Sequence, residues 1–123
     1  MSTVVWILEV ALALVFGLAG VIKVTLPTER VLENLPWAEE YAPNTVRLIG
    51  FLEIAGAVAL VLPAAAVVVP VMVPFAAICL GIVMVLAAFV HLRRDEPAEM
   101  ALNAVLLALL LVVAWARIGP YAL

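Results

Sequence analysis

Between Glu53 and His91 the chain carries no charged residue: Ile54 to Val90 is an uncharged run of 37 residues. As one helix it would reach about 55 Å at 1.5 Å per residue. The hydrocarbon core of a bilayer is only about 30 Å thick, so a run of this kind has to turn back on itself. Pro63 is the expected break, because proline disrupts a helix interior. One helix is then expected over about 44–62 and the next over about 70–92. Pro70 and Pro74 fall in the first turns of the second, where a missing N–H matters least. Two more apolar stretches, about 4–24 (broken only by Glu9) and about 97–116, have the roughly 20-residue length of a membrane span. The expected fold is all-α: an integral membrane four-helix bundle forming a single domain over 1–123.

Composition excludes the alternatives. Hydrophobic residues make up 69% of the chain and charged residues 12%, with a mean hydropathy of +1.34. Soluble domains hold roughly 45–50% apolar residues, and a small soluble fold exposes too much surface to hide more. A nucleic-acid binder would need a basic patch, whereas the net charge is −3. One cysteine, Cys79, excludes an intramolecular disulfide, a thiol relay within the chain and a cysteine-rich metal site. It is expected to be packing filler, as are Met72 and Met84. No Gly-rich phosphate loop, HExxH or CxxC is present, and a single histidine cannot ligate haem from both sides. No cofactor and no metal are expected.

The placement of the six basic residues sets an expected orientation. Lys23, Arg30 and Arg47 flank the first connection, and Arg93 and Arg94 the third. Only Arg117 lies at the other end. Five against one puts both charged loops in the cytoplasm and both termini outside. Trp6, Trp115 and Tyr121 would mark the outer interface, Trp37 and Tyr41 the inner one. Met1 to Trp6 lacks the basic n-region of a signal peptide, so the first helix is expected to be retained.

The one sizeable polar segment, 25–43, reads as an interfacial loop with two short helical pieces, Pro27 to Leu35 and Pro36 to Tyr41. Each opens on a proline suited to a first helical position. Its acids, Glu29, Glu33, Glu39 and Glu40, argue against binding anionic lipid and for a solvated cap over the bundle mouth.

Polar residues within or at the ends of spans are the candidate site. Such groups usually face the bundle interior and pair. Glu53 lies about 13 Å into its helix, too deep for a short side chain to reach water. Arg47, Gly50, Glu53 and Gly56 step by three and drift slowly across one helix face, and Gly17, Gly20 and Lys23 form a similar series on helix one. Glycines let two backbones approach closely, which makes Lys23 and Glu53 natural partners. Glu9 is within reach of Arg117 near the other end, where partial hydration would ease the pairing. Asn103 is expected to hydrogen-bond between helices. His91, just before Arg93 and Arg94, is either an interfacial anchor or a proton-transfer group.

Three stretches carry a family likeness: FGLAGVIK in helix one, RLIGFLEIAGAVALVLP in helix two, and HLRRDEP followed by Asn103. Together they resemble the DoxX-like family of small four-helix bacterial membrane proteins over nearly the whole chain. The resemblance implies a compact bundle in the bacterial inner membrane, within a wider group that includes vitamin K epoxide reductase-like and emopamil-binding-like proteins. It marks Gly20, Lys23, Arg47, Gly50, Glu53, His91 and Asn103. The family name comes from a subunit associated with thiosulfate:quinone oxidation. That activity is not carried over, because this chain has no redox cysteine pair.

Three functions remain open. The first is a bundle that encloses a pocket for an apolar or amphipathic small molecule of lipid, quinone or terpenoid type. Lys23, Glu53 and Asn103 would form its polar end, with Arg47 and Glu9 as further ligand-binding candidates. The second is a membrane enzyme with Glu53 as general acid/base, assisted by His91 or Asn103, in isomerisation, epoxide opening or cyclisation. The third is an accessory subunit of a larger membrane complex. Expected partners are the lipid bilayer, a lipophilic small molecule, and a second copy or larger complex, with no nucleic acid.

Overall fold

The computed structural model describes residues 2–66 and 71–120. The elements run α1 (Ser2–Thr25), α2 (Thr28–Asn34), a 3-10 helix (Pro36–Glu40), α3 (Pro43–Ala66), α4 (Met72–Arg93) and α5 (Pro97–Ile118). Four of them, α1, α3, α4 and α5, are long and apolar enough to cross a membrane. The protein is an all-helical integral membrane bundle. α1 packs along α3 and α4 along α5; α3 against α4 joins the two pairs, and α1 touches α5. The α1–α3 and α4–α5 connections lie at one end, the loop end. The described chain starts and finishes at the opposite, termini end.

Pro63 does not end its helix. α3 runs past it to Ala66, so the reversal falls between Ala66 and Met72 rather than at Pro63. A proline inside a membrane-spanning helix forfeits its own N–H bond, and such helices tolerate it because neighbouring groups and small local adjustments satisfy the freed backbone. The expected helix start at Pro70 lies outside the described residues. Pro74 sits in the first turn of α4, where an N–H would have no partner within the helix.

The core is a stack of apolar side chains contributed by all four long helices: Leu12, Phe16, Leu60, Val73, Leu80, Leu110 and Val113 are almost completely buried. Leu14, Leu18, Leu48, Phe75, Leu86 and Trp115 are exposed on the outside. In water such a surface would drive association; in a bilayer it is solvated by acyl chains. Helix association must then come from close packing and internal polar contacts. Met84 packs inside, but Met72 is partly exposed and Cys79 faces outward, so Cys79 does not fill the core.

Close packing is clearest between α1 and α3. A Cβ on Gly20 would lie 2.5 Å from the Gly50 carbonyl oxygen, and one on Gly50 would lie 2.8 Å from Lys23 Cβ. The two backbones therefore touch through this glycine pair. Gly17 meets Ala57 at an ordinary 3.7 Å, and Gly56 faces Leu80 of α4 rather than α1. The spacing explains the change of partner. Each step of three residues turns about 60° around a helix of 3.6 residues per turn, so two steps carry the series from the α1 side to the α4 side.

The α4–α5 turn is closed by a Schellman motif. Asp95 N–H donates to the Leu92 carbonyl and Glu96 N–H to the His91 carbonyl. The residue at the left-handed position is Asp95, with φ 58°, where glycine is usual and a short polar side chain is tolerated.

Candidate functional site

The loop end gathers the polar residues. Lys23, in the last turn of α1, donates from Nζ to Glu53 Oε1 of α3 at 2.5 Å. Lys23 is 7% and Glu53 2% exposed. The Gly20–Gly50 contact one turn away brings the two helices close enough for this pair to form inside the bundle. Trp37 of the 3-10 helix approaches from the loop side, with its ring centroid 5.8 Å from Lys23 Nζ. Tyr41 sets its edge against Trp37 at 6.0 Å. The ammonium is thus held between a carboxylate and an aromatic face, both favourable to a desolvated cation.

Arg47 has a different task. Its Nη1 donates to the Val24 carbonyl at 2.5 Å, and its Nη2 lies 3.5 Å from that of Leu26. A cation there completes the last carbonyls of α1 and opposes the negative end of the helix dipole. Among the described residues no carboxylate lies within ion-pair distance of Arg47. Beside it opens a cavity of about 180 Å³, lined by Lys23, Arg47, Tyr41, Val31, Leu32 and Val46, among others. α2 and the 3-10 helix form its roof. Glu53 stands behind Lys23, and neither Glu53 nor Asn103 lines this space.

Asn103, on α5, is 8% exposed, and its Nδ2 has no hydrogen-bond partner. Its level follows from register. Fourteen residues separate Glu9 from Lys23 on α1, and fourteen separate Asn103 from Arg117 on α5. The two helices are antiparallel and joined near one end by Glu9 and Arg117, so Asn103 stands level with Lys23 at the other, about 21 Å away along the axis. The Glu9–Arg117 pair is bidentate, at 2.5 Å and 3.1 Å, with the guanidinium 5.6 Å from the Trp6 ring. Glu9 is 0% exposed, so the pair is fully buried rather than partly hydrated.

His91 belongs to a separate network that ties the two loop-end connections together. Its Nδ1 lies 2.9 Å from Glu96 Oε1, and Arg94 Nε donates to the same oxygen at 3.3 Å. Arg94 Nη1 reaches Glu40 at 2.8 Å and Glu39 at 3.4 Å, while Arg93 donates to the Tyr41 hydroxyl at 3.2 Å. The Glu96 carboxyl is held below its ordinary pKa, first by the hydrogen bond with His91, with Arg94 adding to this against partial desolvation. The hydrogen bond to Glu40 holds Arg94 more firmly in its charged form. None of these loop-to-loop contacts is visible in local spacing; the acids of the first loop and the basic pair after His91 were the only hints. Glu53 and His91, candidates for joint acid–base work, share no hydrogen bond.

The sequence model of the DoxX-like family matches residues 7–113, from the second turn of α1 into the last turns of α5. No curated protein and no solved structure matches the chain.

Proposed function

The chain belongs to the DoxX-like family, and on that premise we propose that it is a membrane binding protein for a small apolar or amphipathic molecule. The molecule is received at the loop end, with Lys23 and Arg47 at its polar side, Glu53 behind Lys23 and the charged loops in the cytoplasm. The observation that carries this reading is the cavity beneath α2 and the 3-10 helix, where the apolar walls of Val31, Leu32 and Val46 meet the Lys23 ammonium. Its volume, about 180 Å³, sets the scale. A cavity of about 150 Å³ takes up benzene, and drug-sized pockets run to roughly 300–1,000 Å³. A ring or a short chain fits it; a whole phospholipid does not.

The enzymatic reading rests on less. Glu53 as general acid/base must first leave Lys23, and His91 is engaged by Glu96.

The test is native mass spectrometry and solvent extraction of the purified protein, alongside Lys23→Met. Wild type should retain a small molecule that Lys23→Met loses while its circular dichroism is unchanged. Equal retention by both, or none by either, overturns the reading.

A further inference from the structure

The cavity at the loop end has a charge balance that selects its ligand. Two cations line it, Lys23 and Arg47. Lys23 is matched by Glu53. Among the described residues, Arg47 is met by the carbonyls of Val24 and Leu26, which use two of its five N–H donors. Glu39 also lines the space, but it is bound to Arg94 and largely open to the outside. The Tyr41 hydroxyl accepts from Arg93, which leaves its own proton to donate. Thr28 adds a second hydroxyl. The floor is therefore rich in donors, with Arg47 a cation that no carboxylate meets among the described residues, and Val31, Leu32, Ala38 and Val46 supply apolar walls.

We propose that this site takes a small organic monocarboxylate, its carboxylate facing Arg47 and Lys23 and its apolar body against Val31, Leu32 and Val46. The proposal rests on the binding function above and specifies its ligand. A single negative charge pairs with Arg47, whereas the second charge of a dianion would find Lys23 already matched by Glu53. The planar guanidinium matches a carboxylate through two parallel N–H donors. The volume limits the body to about one ring or a short branched chain.

The experiment uses the full chain in detergent at neutral pH, with thermal shift and calorimetry as readouts. The probes are benzoate, methyl benzoate and sulfate. Benzoate should bind saturably, at least ten-fold tighter than either of the others. Arg47→Gln should weaken benzoate at least ten-fold, and Glu53→Gln, which adds a positive charge to the balance, should tighten it. If Arg47→Gln does not fold, the comparison of acid with ester on the wild type decides alone. Ester bound as tightly as acid overturns the carboxylate assignment and leaves the binding function standing. Sulfate bound as tightly as benzoate overturns it in favour of an inorganic anion site. No binding of any probe also overturns it, and the binding function itself then stands or falls on the extraction experiment.

Discussion

Lys23 and Glu53 meet at 2.5 Å across the α1–α3 contact, and both are almost fully buried. Breaking a buried pair by removing one partner strands a charge, which typically costs about 3–5 kcal/mol, whereas apolar replacement of both is often neutral. Lys23→Met and Glu53→Leu should therefore each destabilise by about that amount, and the double variant by less than either single one. Unfolding in mixed micelles measures this, and additive losses would contradict it.

The glycine contact predicts an ordered series. A Cβ at Gly20 strikes the Gly50 carbonyl, which is backbone and cannot swing aside, while one at Gly56 strikes the tip of Leu80. Gly20→Ala should cost about 1–3 kcal/mol, the usual range for overpacking. Gly56→Ala should cost less, and Gly17→Ala, whose Cβ would meet Ala57 at an ordinary 3.7 Å contact, should be close to neutral. Thermal unfolding of the three variants checks the order.

How much of this was legible in sequence depends on what sets each feature. The four spans were, because the bilayer sorts residues by hydropathy alone. So was the Lys23–Glu53 pair, because a short carboxylate so deep in a helix has few ways to be satisfied. The inward and outward faces were not. In lipid a helix can be apolar all round, so nothing in the pattern showed that Cys79 points out or that Glu9 is wholly enclosed. Pro63 misled because the rule that proline breaks helices is calibrated on water, where stranded carbonyls find new partners. The Arg94–Glu40 and Arg93–Tyr41 contacts join segments more than 50 residues apart and exist only once the bundle has brought both loops to one end.

Asp95 occupies a left-handed backbone position. For a residue with a Cβ that conformation costs roughly 1–2 kcal/mol, less for Asp. Asp95→Gly should leave stability unchanged or raise it, and Asp95→Val should lower it by about 1–2 kcal/mol. Denaturant titration distinguishes the two.

Asn103 should act on stability and not on binding. Asn103→Leu removes an unpaired buried donor and should be neutral or stabilising by about 1 kcal/mol. Because Asn103 does not line the loop-end cavity, the amount of small molecule that copurifies should be unchanged. Unfolding and extraction on the same preparation read both effects.

The loop network predicts a response to acid. Because the folded Glu96 carboxyl is held below its ordinary pKa, its contribution is present at neutral pH. That contribution declines as pH falls below the ordinary carboxylate value and is gone once pH passes the lowered one. The protection of the Glu39, Glu40 and Tyr41 amides, relative to their intrinsic exchange rates at each pH, should fall over that window. Glu96→Gln should show the lower protection already at neutral pH and lose the acid dependence.

The matched fourteen-residue offsets on α1 and α5 leave one charged tier at each end, and the buried side chains between them include Leu12, Phe16, Leu60, Leu80 and Leu110. Among the described residues, that stretch offers an ion or proton no buried charged side chain. The two charged tiers are thus separated by a dry apolar layer contributed by all four long helices.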